Sequence, residues 1–189
     1  MCRKPIETMT RPDGTEVQIF QDEFPTSPRE WDNLGTMVCF QHPNLPNSRY
    51  DLGDKHGFRD AEKLVKFIGQ DDIIALPLYL YDHSGLRMNV GGFSCPWDSG
   101  QVGYIYVTKE AVRKEWKVKR ISAALMQTIL GCLRGEVETY DQYLSGEVYG
   151  WVAMKECPEC HKKTPTDSVW GYFGNWKESR LLRDAGVEQ

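Results

Sequence analysis

Two cysteines near the C-terminus are spaced as metal ligands are. Cys157 and Cys160 stand in the sequence Cys-Pro-Glu-Cys-His, so that His161 follows directly. Two thiolates separated by two residues can occupy two corners of a zinc tetrahedron. Cys157, Cys160 and His161 are therefore candidate ligands of a structural zinc ion. An ordinary loop is the commoner interpretation of such a pair, and a redox-active dithiol is a further alternative. The chain has no second Cys-x-x-Cys, so other ligands would come from Cys2, Cys39, His42, His56 or His83.

A second group of residues has the types that thiol chemistry uses. Cys95, His83 and Asp98 could supply a nucleophile, a base and an orienting carboxylate. A packed thiol and a solvated turn histidine are the commoner interpretation of such residues. Asp32, Asp51, Asp54 and His56 could likewise form a cluster for a hard metal or a phosphate, although carboxylates in polar loops usually form turns.

The common catalytic signatures are absent from the sequence. It contains no phosphate-binding GxxxxGK[ST], no GxGxxG after a strand, and neither HExxH nor GxSxG. The deaminase combination of H-x-E with P-C-x-x-C is also missing. These absences favour a binding protein over an enzyme.

Charge is distributed unevenly along the chain. The net charge of −4 is too small for a general nucleic-acid coat or for a carboxylate-rich DNA mimic. Residues 109–120 nevertheless carry six Lys or Arg against two Glu, while residues 135–167 are acidic. A solvated surface is the usual interpretation of such asymmetry. If the charges bind a partner, the basic candidates are Lys114, Lys117, Lys119 and Arg120, and the acidic candidates are Glu136, Glu138 and Asp141.

Two tryptophans lie in segments without regular periodicity. Trp31 belongs to an irregular stretch over residues 21–34, and Trp97 to the glycine-rich block over residues 91–100. Large rings in loops can anchor an interface or fix the loop to the core. Both are therefore candidate binding residues.

The elements that must position these residues indicate an α+β fold. Alternating or continuous apolar runs predict strands near 36–41, 73–81, 86–90, 102–107, 147–154 and 168–173. Pro77 within the second run indicates a bulge or an unpaired edge there. Asp60 can cap a helix that ends at Gly69. An apolar stripe predicts a long helix over residues 121–144, packed on one face of a single antiparallel, aromatic-rich sheet.

Length and composition favour one domain over residues 1–189. We expect residues 1–30 to form a peripheral hairpin and loop, because Arg11-Pro12-Asp13-Gly14 is a turn signal, and residues 155–167 to form a hairpin insertion around the zinc. No apolar run has the length of about 20 residues that a membrane helix needs. The start of the chain lacks the apolar stretch of a signal peptide, so we predict a cytoplasmic protein without membrane contact.

Four blocks of the sequence carry a family resemblance that spans about residues 31–176. They are residues 31–40 (WDNLGTMVCF), 50–56 (YDLGDKH), 76–85 (LPLYLYDHSG) and 93–103 (FSCPWDSGQVG). The chain resembles a family of small, mostly uncharacterised proteins carried by phages and mobile elements of bacteria.

The resemblance implies a counter-defence role, in which such proteins bind and disable a host component such as a CRISPR nuclease or a restriction enzyme. The expected partner is thus a host defence nuclease or its nucleic-acid complex, contacted by the acidic residues and the two tryptophans. Direct binding of DNA or RNA through the basic segment is the alternative, and a small enzyme acting on a host factor or signalling nucleotide is a third.

Overall fold

The computed structural model describes residues 4–40 and 52–187. Its elements confirm an α+β fold, but the strands form two four-stranded antiparallel sheets. In chain order they are β1 (Glu7–Thr10), β2 (Glu16–Gln21), a 3₁₀ turn (Pro28–Glu30), β3 (Thr36–Cys39), α1 (Ala61–Ile68), β4 (Ile73–Asp82), β5 (Leu86–Asn89), β6 (Ser99–Thr108), α2 (Lys109–Glu115), α3 (Ala123–Leu144), β7 (Val148–Glu156), β8 (Lys163–Phe173) and α4 (Leu181–Asp184).

The single sheet expected from the sequence is therefore wrong. The strands belong to two compact units, one of residues 28–144 and the other of residues 1–27 with 145–189. The first unit contains the sheet β3-β6-β4-β5, and the second contains β1-β2-β7-β8. Periodicity along a strand reports which face is buried, but it does not report which strands are neighbours. The apolar pattern of the individual strands is therefore the same whether they form one sheet or two.

In the unit of residues 28–144, α3 packs on the sheet through one apolar stripe. Ile129, Leu133, Val137 and Tyr140 are buried in one core with side chains of β3, β4 and β6. The backbone approaches closely at Gly35, where a Cβ atom would lie 2.6 Å from Cδ2 of Leu133. Burial of these side chains fixes α3 and the segment before β3 against each other.

The unit of residues 1–27 and 145–189 has its own core. Val17 and Ile19 of β2 are completely buried, and they pack with Trp151, Leu181 and Ala185. The N-terminal hairpin forms at the predicted turn, but it is not peripheral, because β2 pairs along its whole length with β7. The alternation of Val17 and Ile19 is the sequence signal for this burial.

The Cys-Pro-Glu-Cys segment is the tip of a continuous hairpin rather than the insertion expected over residues 155–167. β7 extends to Glu156, and β8 begins at Lys163. The two strands stay paired up to the contact between Glu156 and Lys163. Only residues 157–162 form the turn. Among the described helices, none combines the length and the apolar character that crossing a membrane requires.

Candidate functional site

Hydrogen bonds fix both ends of the connection from β5 to β6. Oδ1 of Asn89 accepts hydrogen bonds from the backbone N–H of Gly91 (3.0 Å) and of Gly92 (2.7 Å). Gly92 has φ +85°, a conformation that glycine adopts without steric cost. The turn after β5 is thus fixed by an Asn side chain and a glycine.

Asp98 ties the other end of this connection to the turn between β4 and β5. Its backbone carbonyl accepts a 2.8 Å hydrogen bond from the N–H of Asp82. Its Oδ2 atom lies 3.4 Å from Nδ1 of His83 and accepts a hydrogen bond of the same length from the thiol of Cys95. The hydroxyl of Ser99 donates to the carbonyl of Cys95. Residues 95–99 are therefore tied to each other and to the neighbouring hairpin.

Trp97 lies in the middle of this tied segment, and its side chain is 83% exposed. Pro96 precedes it, and the fixed φ of proline limits the conformations of the segment. Burying an indole ring in a partner's pocket removes a large apolar area from water. An exposed ring on a constrained backbone loses little conformational freedom on binding, so this arrangement suits an anchor residue. We name residues 95–99 the Trp97 loop.

The three residues predicted for thiol chemistry come together here, but not in the order that the chemistry needs. A general base must contact the thiol that it activates. The carboxylate of Asp98 lies between the thiol of Cys95 and the imidazole of His83, and among the contacts of the described residues there is no thiol–imidazole hydrogen bond. The arrangement braces the loop and does not form a nucleophile–base pair.

One buried polar atom lies at the end of β4. It is Oδ2 of Asp82, and no described residue donates a hydrogen bond to it. Buried acceptors in native proteins are normally satisfied, often by water. This oxygen can therefore accept a hydrogen bond from a water molecule.

Glu136, one of the predicted acidic binding residues, is part of a largely buried ion cluster. The guanidinium of Arg29, whose side chain is 5% exposed, lies 2.9 Å from Oε2 of Glu136 and 2.6 Å from Oδ2 of Asp54. Glu136 also accepts the backbone N–H of Leu34 at 2.8 Å, and Asp54 accepts that of Met37 at 2.7 Å. No sequence pattern indicates this cluster, because its three members are far apart in the chain.

The charge of Arg29 is stabilised within this cluster. Removing the guanidinium from water lowers its pKa, but the hydrogen bonds to Asp54 and Glu136 outweigh this effect and raise the pKa above its usual value. Asp54 thus has a structural partner and does not combine with Asp32 and His56 in a metal cluster among the described residues. Asp51, which was predicted with them, lies outside the described residues.

The other two acidic candidates differ from each other. Asp141 lies 2.8 Å from Nη2 of Arg87 and accepts the backbone N–H of Met88 at 2.6 Å, so it holds β5 to α3. Glu138 is exposed on α3. Of the predicted acidic strip, Glu136 and Asp141 therefore have structural partners, and Glu138 is the exposed member.

The predicted basic residues and the second tryptophan are accessible. Lys114 lies in the last turn of α2, and Lys117, Lys119 and Arg120 follow in the link to α3. All four side chains are exposed. No described carboxylate lies within salt-bridge distance of any of them. Trp31 follows the 3₁₀ turn and is 49% exposed.

The structure does not bring the three predicted zinc ligands together. Nδ1 of His161 lies 2.6 Å from Oε1 of Glu156, and no group of three metal-binding side chains occurs among the described residues. Cys157 and Cys160 lie on the same hairpin tip. Hydrogen bonding to the backbone of Cys160 and Glu159 and to the side chain of Cys160 lowers the pKa of the Cys157 thiol.

The alternative zinc ligands are placed elsewhere or lie outside the described residues. Burial raises the pKa of the Cys39 thiol to about 12, which disfavours the thiolate that zinc needs. The ring of His56 packs on Phe40, with 5.1 Å between ring centroids. His83 contacts Asp98, and Cys2 and His42 are not among the described residues.

Comparison of the chain with protein-family models, with curated proteins and with solved structures gives no match.

Proposed function

We propose that the chain is a phage-encoded counter-defence protein that binds a bacterial immune nuclease, with a CRISPR effector as the first candidate. Binding would occlude the nucleic-acid or guide surface of the nuclease. The observation that carries the proposal is the Trp97 loop, in which an indole that is 83% exposed sits on a backbone held by Asp98 and Ser99. An exposed large ring on a fixed loop is typical of an interface anchor.

An exposed carboxylate can contribute to such a contact. A nuclease surface that binds a guide or a target strand is positively charged. We assign the acidic part of the contact to Glu138, since the carboxylates of Glu136 and Asp141 are bonded within their own unit. Trp31 is the second candidate ring. Charge attraction of this kind mainly accelerates association, and its effect decreases with added salt.

The experiment is a pull-down of the tagged full chain from lysates that contain CRISPR and restriction complexes, with and without nuclease treatment. The proposal predicts that a defence nuclease is captured in both conditions and that its cleavage activity falls as the chain approaches equimolar amounts. The proposal would be contradicted if capture disappeared once the nucleic acid in the lysate had been digested. It would also be contradicted if the captured defence nuclease kept its full cleavage activity.

Direct binding of DNA or RNA is the second candidate function. It is favoured by the exposure of Lys114, Lys117, Lys119 and Arg120 without a carboxylate partner among the described residues. Four phosphate contacts would reduce the affinity about 100-fold when salt rises from 50 to 200 mM. Reversing these four charges should abolish binding to bare nucleic acid, whereas Lys66→Glu, a reversal at an exposed position of α1, should change it little.

A further inference from the structure

The hairpin tip between β7 and β8 is a preformed pair of sulfur ligands. Its turn is closed by a 3.0 Å hydrogen bond from the N–H of Cys157 to the carbonyl of Lys162 and by a 2.9 Å bond from the N–H of His161 to the carbonyl of Cys157. His161 has φ +55°, which reverses the chain directly after Cys160. The turn thereby places both cysteines on the same hairpin tip, three positions apart.

The surroundings of this pair suit zinc–thiolate bonding. The N–H and the carbonyl of Cys157 are both hydrogen-bonded within the turn, so the backbone that carries the first thiol is held in place. Positioning of this kind reduces the conformational cost of binding a metal ion. Lys155 and Lys162 flank the pair against Glu156 and Glu159, so these side chains add no net negative charge to that of a zinc–thiolate centre. Lys163 is paired with Glu16.

One copy of the tip supplies half of a tetrahedral site. Structural zinc sites take four ligands, with Cys₄ among the common sets. His161 is directed to Glu156, and no third ligand joins the two thiols among the described residues. Cys160 is exposed at the end of a projecting hairpin, and Cys157 is half-buried, so a second tip can approach.

We propose that two copies of this chain share one zinc ion at their hairpin tips, with Cys157 and Cys160 of each copy as the four ligands. Binding releases the four thiol protons to solvent and forms four zinc–sulfur bonds. A two-fold axis through the metal relates the copies, so each gives the same two sulfurs. This site is independent of the Trp97 loop, and neither proposal depends on the other.

The test is zinc titration of the full chain, kept reduced with a phosphine, while zinc content and molar mass are measured together. We expect one zinc per two chains and a change from the 21.8 kDa monomer to a dimer, which a chelator reverses. Cobalt(II) in place of zinc should give the absorption of a tetrahedral four-thiolate site at the same ratio.

Point variants distinguish a zinc ion shared by two chains from a zinc ion held by one chain. Cys157→Ser and Cys160→Ser should each abolish dimerisation and zinc binding, whereas Cys132→Ser, at an exposed position of α3, should leave both unchanged. His161→Asn should also leave both unchanged, because asparagine lacks the imidazole but tolerates the positive φ of the turn. One zinc per monomeric chain would overturn the proposal, as would a loss of binding in His161→Asn. No zinc uptake by the reduced chain would also overturn it, and would leave the pair as a dithiol.

Discussion

The thiol of Cys95 donates a hydrogen bond to Oδ2 of Asp98 over 3.4 Å. The same oxygen lies 3.4 Å from Nδ1 of His83. Since the carboxylate separates the thiol from the imidazole, His83 is not placed to remove the thiol proton. The three side chains therefore brace the loop that presents Trp97.

Cys95→Ser should retain both the fold and the inhibition of a captured nuclease, because a hydroxyl can also donate to Asp98. Cys95→Ala loses the donor, and we expect it to lower the free energy of unfolding by about 1 kcal/mol. Denaturant unfolding and an inhibition assay at equimolar ratio check both variants. If much less than one equivalent of the chain inactivated the target, and if both Cys95→Ser and Cys95→Ala lost this effect, the chain would instead be an enzyme.

The ion cluster around Arg29 should dominate the polar contribution to the stability of its unit. Arg29→Ala leaves the carboxylates of Asp54 and Glu136 without their cation in a largely buried place. Removing one partner of a buried ion pair costs about 3–5 kcal/mol. Urea unfolding of the variant should therefore show a large decrease in the midpoint.

The matched control is Arg134→Ala, which removes an arginine from an exposed position of α3. Surface changes of this kind usually stay within about 0.5 kcal/mol. If Arg29→Ala and Arg134→Ala had the same unfolding midpoint, the structural role of the cluster would be refuted.

Stability should decline in the alkaline range because of Tyr140. Burial raises the pKa of this phenol from 10.0 to about 12, although its oxygen accepts the N–H of Gly53 at 3.1 Å. The unfolded chain loses the proton near its ordinary pKa and the folded chain only near 12. The contribution is thus complete below pH 10 and is lost as the pH rises towards 12.

By this linkage the loss from Tyr140 at pH 11.5 is about 2 kcal/mol. Tyr140→Phe keeps the ring but cannot ionise, so its stability should decrease less between pH 9 and pH 11.5 than that of the wild type. Urea titrations at the two pH values give the comparison. Equal decreases in the two proteins would show that Tyr140 does not titrate in this range.

Local signals in the sequence predict local structure well. Asp60 caps α1 as predicted, with Oδ1 accepting the N–H of Lys63 at 2.9 Å, and the helix ends before Gly69. Pro77 also agrees with the structure: the register of β4 shifts between Leu78 and Tyr79, and β5 pairs with β4 only from Tyr79 onward. Such features depend on neighbouring residues and are therefore visible in the sequence.

Long-range partners are the part that the sequence does not reveal. Arg29 and Glu136 are separated by 107 positions, and a lone arginine beside a proline has no distinguishing pattern. The acidic stretch has the composition of a solvated surface, yet the partners of Glu136 and Asp141 come from other segments. The rings and glycines of residues 91–100 are visible in the sequence, while the bracing of the Trp97 loop by Asp98 depends on a hairpin folded beside it.

The most direct test of the proposed function is the affinity of the captured nuclease for Trp97→Ala, compared with the wild type and with Phe24→Ala. Phe24 is 90% exposed and lies in the other compact unit, so it controls for the loss of an exposed ring. An anchor residue contributes about 2 kcal/mol or more, which corresponds to a Kd increased at least about 30-fold. We expect this loss for Trp97→Ala and a Kd within about twofold of the wild type for Phe24→Ala. Wild-type affinity in Trp97→Ala would contradict the assignment of Trp97 as the anchor.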